Sequence, residues 1–140
     1  NLFDLLSFYG FFTAILRIGV CREDGQKNLP CINQLDDYFN GRLKEFDLPL
    51  DLTGTDFQRR VWRELIRIPY GQVRTYGGIA KAVRSCPRAG GQANRKNPVS
   101  IIVPCHRVVA SSGIGGYGGS TAGRNIEIKR SLLQLEGIKI

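Results

Sequence analysis

The sequence predicts an α+β fold: a small N-terminal strand-and-helix domain over residues 1–52, then a C-terminal helical domain over residues 53–140 organised round a helix-turn-helix. Three observations predict it. Residues 8–20 mix aromatic and β-branched side chains as a strand does, a strongly capped helix begins abruptly at Thr55, and two short helices joined by a tight turn follow it. At 140 residues the chain has room for one compact domain or two small ones sharing a core.

In chain order, 8–20 (FYGFFTAILRIGV) reads as one or two strands and 21–30 as a polar turn. Ile32, Leu35 and Phe39 recur at helical spacing, which predicts a short helix over 31–39 stopped by Gly41. Residues 46–54 are extended, punctuated by Pro49 and Gly54. At Thr55 the pattern changes. Thr-Asp-Phe-Gln (55–58) forms a capping box, and Phe57, Val61 and Leu65 fall on one stripe of a helix over 56–67. Pro69-Tyr70-Gly71 ends that helix. Thr75 caps a second one over 76–84, with Ile79, Ala80 and Val83 facing inward, and a third, rich in small residues, runs over 88–96. Asn97-Pro98 stops it. The apolar run 99–103 reads as a buried strand ending at Pro104, and a loop rich in glycine and serine covers 110–123. The last helix carries Ile128, Leu132 and Leu135 inward, with Glu136 at its end and Gly137 as its stop.

Charge separates the two halves. Residues 1–54 carry five Lys/Arg against eight Asp/Glu, and residues 55–140 carry fifteen against four, so the net +8 belongs to the C-terminal part. A basic helix-turn-helix beside a near-neutral partner is the footprint of a polyanion binder, nucleic acid before membrane. On pattern alone such a helix pair is more often a packing motif, and the surrounding charge brings the two readings level. The apolar stretch from Leu5 to Leu16 is too short to span a bilayer and lacks the features of a signal peptide, so no membrane partner is expected. Cys21, Cys31, Cys86 and Cys105 share no disulfide spacing, and a single histidine supplies a Cys/His zinc site poorly. Reduced thiols in a cytoplasmic or nuclear setting are therefore expected, with neither metal nor cofactor. Cys21, Cys31 and Cys86 read as inert small hydrophobes, and Trp62 and Phe57 as core.

That one histidine, His106, stands directly after Cys105. A thiol needs help to become a thiolate, and an imidazole is the usual helper. In a straight strand, however, neighbours point to opposite faces, so cooperation requires the backbone to bend after Pro104. On adjacency alone, a buried structural cysteine beside an exposed histidine is the better reading.

The wider wording reverses that judgement. Ile-Pro-Tyr-Gly (68–71), Thr75-Tyr76, Arg88-Ala89, Asn97-Pro98, Ile-Val-Pro-Cys-His-Arg-Val (102–108), Gly116-Tyr117 and Leu132-Leu133 with Glu136-Gly137 stand in this order. Together they closely resemble the O6-alkylguanine-DNA alkyltransferase family, the methylated-DNA–protein-cysteine methyltransferases. The likeness covers about 46–140; residues 1–45 match loosely and are short for the family's N-terminal domain.

The resemblance implies a winged helix-turn-helix domain carrying the active-site cysteine, and repair of double-stranded DNA by one irreversible transfer of the alkyl group of O6-alkylguanine to Cys105 of a monomer, and leaves open whether O4-alkylthymine is a substrate as well. It implies that His106 takes the thiol proton through a water, that Glu136 orients His106, and that Asn97 braces the turn carrying Cys105. Tyr76 would rotate the target phosphate and donate toward the guanine ring. Arg88 would enter the base stack in place of the extruded base, with Ala89, Gln92, Arg95 and Lys96 on the same DNA-facing helix. The carbonyls of Cys105 and Val108 would accept from the guanine amine, and Tyr117, Gly118 and Gly119 would close the pocket. Such chemistry is physically apt: a soft thiolate suits displacement at saturated carbon, and a base hidden in duplex must be flipped out to be reached. The chain departs from the family pattern after Tyr117, where its loop is several residues longer and Ser120 stands where glycine is common. Two other classes remain to be separated by experiment: a non-catalytic lesion binder, which would lack the nucleophile, and an unrelated cysteine hydrolase or thiol-redox protein, which would leave the basic helix-turn-helix unexplained.

Overall fold

The structure, a computed structural model, describes residues 25–140. The strand expected over 8–20 lies outside them. The described fold is mixed, five α-helices with a two-stranded parallel ladder. Among the described residues no helix is long and apolar enough to cross a membrane.

Helix α1 spans Gly25–Phe39 and runs through Pro30, which corrects the polar turn expected over 21–30. Proline inside a helix costs about 3 kcal/mol through its missing N–H and its clash with the preceding turn. Burial of Leu35 and Tyr38 on the inner face outweighs that, at about 1.5–3 kcal/mol for each large side chain. Gly41 (φ 72°) then turns the chain away, as expected.

Helix α2 (Asp56–Ile66) carries the expected capping box. Thr55 Oγ1 accepts from the Gln58 amide at 3.1 Å, and Gln58 Oε1 accepts from the Thr55 amide at 3.0 Å. Val61, Trp62 and Leu65 are buried, and the indole N–H of Trp62 donates to the Ala93 carbonyl at 2.9 Å, so this one residue ties α2 to the helix that follows the tight turn.

Strand β1 (Arg74–Thr75) pairs in parallel with β2 (Val108–Val109), Arg74 opposite Val108 and Thr75 opposite Val109. Thr75 also caps α3 (Tyr76–Ala82), accepting from the Gly78 amide. Ile79, Ala80 and Val83 face inward as expected, but the helix ends two residues early because Arg84 takes a left-handed φ of 56°. Helix α4 (Pro87–Arg95) begins one residue before its expected start. Pro87 occupies the first position, where no N–H is required. Helices α3 and α4 approach closely at Gly90, where an added Cβ would touch the Cα of Ala80 at 3.9 Å.

The expected strand over 99–103 is not a strand. The Val103 amide bonds back to the Val99 carbonyl at 2.9 Å, and Ile101 sits buried at φ 75°, a conformation hostile to β-branched residues. Asn97 holds this turn from outside the run: its Nδ2 donates to the Val103 carbonyl at 2.7 Å and its Oδ1 accepts from the Val99 amide at 3.0 Å. Apolarity had signalled burial correctly; the asparagine set the shape.

Helix α5 (Arg124–Leu135) closes with a Schellman motif. The Ile138 amide bonds to the Leu133 carbonyl and the Gly137 amide to the Gln134 carbonyl, with Gly137 at φ 81°. Glu136 is thereby fixed as the C-cap residue, its backbone set by the turn around it.

Because two amides at the start of α2 depend on the Thr55–Gln58 exchange, Thr55→Ala is expected to lower stability by about 1 kcal/mol in urea unfolding. An unchanged midpoint would show that the cap is not used in solution.

Candidate active site

A short 3₁₀ turn, Cys105–Arg107, leads out of the Asn97-braced turn and into β2. The backbone therefore bends after Pro104 and does not run on as a straight strand. The Cys105 amide bonds to the Val103 carbonyl, the Arg107 amide to the Pro104 carbonyl, and the Val108 amide to the Cys105 carbonyl. All three side chains of the turn are buried. The exposed histidine favoured by adjacency alone is excluded: His106 is 0 % exposed.

The ring of His106 has one partner. Its Nε2 lies 2.8 Å from Glu136 Oε1, while Nδ1 is buried with no hydrogen-bond partner among the described residues. A carboxylate can only accept, so Nε2 carries the hydrogen and Nδ1 keeps a lone pair. Burial pushes the His106 ring below the ordinary imidazole value, against the pull of Glu136 and with the help of Arg107 and Lys129. The result is a neutral base with one open nitrogen.

The Cys105 thiol faces the side chains of Asn97, Ser100 and Tyr117 and lies in the field of Lys129, all of which favour its ionised form. Burial outweighs them and pushes the thiol up. Burial thus favours the neutral form of the thiol and of the imidazole alike.

Glu136 is the charged hub. Its Oε1 accepts from His106 Nε2, from Arg107 Nη2 at 2.9 Å and from the Tyr38 hydroxyl at 2.7 Å. Its Oε2 accepts from Arg107 Nε at 2.8 Å and from the Gly71 amide at 3.3 Å. Burial would raise this carboxyl, but the donors from His106, Arg107 and Tyr38 bring it down to about 2. The motif Ile-Pro-Tyr-Gly is explained by the same hub. The Ile68 carbonyl accepts from Arg107 Nη1, the Tyr70 hydroxyl donates to the Leu135 carbonyl, and Gly71, at φ 78°, brings its amide to the carboxylate.

On the other side of the thiol, Tyr76 begins α3 and donates its hydroxyl to the Gly116 carbonyl at 2.9 Å. Lys129, on α5, is 0 % exposed. Its Nζ donates to the Val108 carbonyl at 2.5 Å and the Gly116 carbonyl at 2.9 Å and stands over the Tyr76 ring. Burial lowers it to about 8. Tyr117 is buried beside Cys105 and starts a tight turn in which Gly118 (φ 56°) and Gly119 (φ 85°) both require a glycine-like backbone, closed by reciprocal bonds between Tyr117 and Ser120. Arg95 lies across that turn, since a Cβ on Gly119 would come within 2.5 Å of its Nε.

The remaining expected residues share one outer face. Arg88, Gln92, Arg95 and Lys96 are exposed along α4 and Ala89 is half-buried beside them, while Gly90, Ala93 and Asn94 turn inward. Asn94 reaches toward the Cys105 carbonyl at 3.5 Å. Cys86, read as an inert hydrophobe, is instead exposed at the N-cap of α4, and Cys31 is half-buried. Sequence reasoning missed Tyr38, Arg107 and Lys129. Arg107 had a signal, since it lies inside the Pro-Cys-His-Arg motif; a lone lysine on an amphipathic helix and a tyrosine 98 positions from Glu136 had none.

The chain is similar to proteins already known. Residues 56–138 match the family model of the 6-O-methylguanine DNA methyltransferase DNA binding domain, and residues 22–52 match that of its ribonuclease-like domain. The methylated-DNA–protein-cysteine methyltransferase of Mycobacterium tuberculosis is 54 % identical over 108 residues, 75 % of this chain and 62 % of that protein. Its namesake in Mycobacterium leprae is 49 % identical over 123 residues, 86 % of this chain and 71 % of the relative. Among solved structures, Mycobacterium tuberculosis OGT in complex with DNA superposes with a TM-score of 0.70 at 53 % identity, covering 76 % of this chain and 65 % of that one. O6-methylguanine-DNA methyltransferase from Pyrococcus kodakaraensis superposes with a TM-score of 0.65 at 31 % identity, covering 96 % and 79 %. The chain thus spans about 62 % of the length of the M. tuberculosis relative.

Since Arg107 provides both bonds of a bidentate pair in a dry site, Arg107→Met is expected to destabilise the protein by about 3–5 kcal/mol at pH 7. Glu136 contributes stability that is present above 4.5 and lost as pH falls toward about 2. Without Arg107 the stranded carboxylate takes up a proton sooner, so the gap between variant and wild type in urea unfolding is expected to narrow below pH 4.5. A constant gap would remove the ion pair as its cause.

Proposed function

The chain belongs to the 6-O-methylguanine DNA methyltransferase family, and we propose that it repairs double-stranded DNA directly, moving the alkyl group of O6-alkylguanine to Cys105 as a monomer without a cofactor. The observation that carries the reading is the state of His106: neutral, held by Glu136 through Nε2, with Nδ1 the one ring nitrogen left to take a proton. In the proposed reaction the thiol proton passes through a bridging water to Nδ1. Sγ then bonds to the alkyl carbon as the carbon–O6 bond breaks, and its electron pair leaves with the guanine, which takes up a proton in turn. Glu136 stays ionised throughout and stabilises the imidazolium. The product is a thioether without a good leaving group, so each chain acts once.

The other residues take supporting roles in this proposal. Asn97 holds the turn that presents Cys105. Arg88 fills the stack vacated by the flipped base, and Ala89, Gln92, Arg95 and Lys96 seat the backbone of the DNA along α4. Tyr76 donates toward the guanine ring, which requires its hydroxyl to leave the Gly116 carbonyl; Lys129 remains there to satisfy it. The carbonyls of Cys105 and Val108 accept from the guanine amine. Val108 already accepts from Lys129 and offers its second lone pair. Tyr117, Gly118 and Gly119 close over the base. We place the division between an N-terminal domain, 1–52, and the alkyltransferase domain, 53–140, just before the Thr55 cap, and the working protein in the cytoplasm, or the nucleus in a eukaryote.

Incubation with duplex DNA carrying radiolabelled O6-methylguanine is expected to leave at most one label per chain, covalently bound, and none in Cys105→Ala. Binding without label would favour a lesion-recognition protein, and turnover beyond one per chain would exclude the thioether product. Arg88→Ala is expected to slow transfer on duplex at least tenfold while leaving transfer from the free base unchanged; equal loss on both substrates would assign Arg88 another role.

A further inference from the structure

Tyr38 reaches from α1 into the hub. Its hydroxyl donates to Glu136 Oε1 at 2.7 Å, and its ring is 0 % exposed, packed against Phe39, Phe46 and Tyr70. That same oxygen accepts from His106 Nε2 and Arg107 Nη2. A carboxylate oxygen offers about two lone-pair directions, so three donors compete for them. We propose that Tyr38 is a positioning residue for the acid–base pair: its hydroxyl fixes Oε1 and draws off part of the negative charge that His106 would otherwise feel. The inference rests on the reading of His106 as the base that serves Cys105.

Orientation alone does not require Tyr38, because Arg107 already grips both carboxylate oxygens from the side. What the hydroxyl adds is a third donor on the oxygen facing the imidazole. Every bond that spreads the charge of Oε1 weakens its support for an imidazolium, and so keeps His106 neutral further into acid. The groups facing this pair from the packed elements are Arg107 on the same turn, Lys129 from α5, Tyr70 from the loop after α2 and Tyr38 from α1. Burial and the neighbouring Glu136 hold Tyr38 far above its ordinary value, so it remains a donor throughout.

His106 is the chain's single histidine, so its imidazole can be followed by NMR in the full protein without DNA. Tyr38→Phe keeps the ring and removes the hydroxyl. The His106 midpoint is expected to rise in Tyr38→Phe by about half a unit or more, and the acid limb of alkyl transfer by the same amount. An unmoved or lowered midpoint in a variant that melts cooperatively overturns the proposal. In the unaltered protein the Tyr38 hydroxyl proton, protected by burial, is expected to shift as His106 titrates; a freely exchanging proton, or one indifferent to the titration, overturns it as well. The two readings fail separately. A raised midpoint in a protein that takes up no alkyl group supports the Tyr38 contact and defeats the transfer reaction, whereas normal transfer with an unmoved midpoint defeats the Tyr38 contact alone.

Discussion

A buried carboxylate must be satisfied from all sides, and much of this fold follows from satisfying Glu136. A lone ionised carboxyl in a dry interior would be too costly to keep charged, and it would take up a proton instead. Here it stays ionised because a guanidinium, an imidazole, a phenol and a backbone amide converge on it from separate parts of the chain. Each donor fixes the element that carries it. Arg107 fixes the 3₁₀ turn, Gly71 the loop after α2, and Tyr38 the N-terminal helix. The Schellman turn at Gly137 sets the backbone of the acceptor itself. Hydrophobic packing supplies the bulk of the stability, but it is indifferent to small rotations. The hub is not, and it turns an approximate assembly into one with a single geometry around the turn that carries Cys105.

That arrangement separates a charged half of the site from a neutral half. The Arg107–Glu136 pair is fully charged, whereas the thiol and imidazole beside it are kept neutral by the same burial. A resting thiolate would be exposed to oxidation and to stray electrophiles; a resting thiol is quiet. In the proposed reaction the donors around Sγ would act when charge develops on it, which is the condition for helping a transition state more than a ground state. Lys129 extends this logic to the other wall. It crosses the core to bind two carbonyls, and one of them, on Gly116, is shared with the Tyr76 hydroxyl. A tyrosine that leaves its carbonyl without orphaning it is free to donate elsewhere.

Elements governed by local rules were legible in the sequence. The capping box at Thr55, the Thr75 cap and the Gly137 stop each state their purpose within four residues, and the helices they bound fall within two residues of expectation. Features that depend on distant partners were not. The run 99–103 reads as strand because four of its five residues are β-branched and apolar; that it folds into a turn depends on Asn97 reaching across it and on packing that tolerates Ile101 at positive φ. Helix α1 begins six residues earlier than its periodicity shows, since the proline inside it looks like a stop from any local view. Within the site, Cys105, His106 and Glu136 were found through the wording of the motif. Tyr38 and Lys129 were invisible because a tyrosine in a helix and a lysine in an amphipathic stripe are ordinary until their neighbours are known.

Helix α4 shows why the docking face and the nucleophile need to be one rigid unit for the proposed chemistry. Base flipping exchanges stacking energy for contacts made by the protein, so the residues that grip the duplex must not yield when the base moves. The outer face of α4 carries Arg88, Gln92, Arg95 and Lys96. Its inner face is locked at three points: Gly90 against Ala80, the Ala93 carbonyl on the Trp62 indole, and Asn94 toward the carbonyl of Cys105. Arg95 further lies over the glycine turn that follows Tyr117, so the row that would meet phosphate also touches the turn proposed to close over the base. Force applied along the outer face is therefore transmitted to the backbone of Cys105 and to the Tyr117 turn, and not absorbed in a flexible linker. A helix stabilised by its own propensity would have served poorly here, since three of its nine residues are glycine or proline. Its rigidity is tertiary, and that is what lets small residues lie where a backbone has to come close.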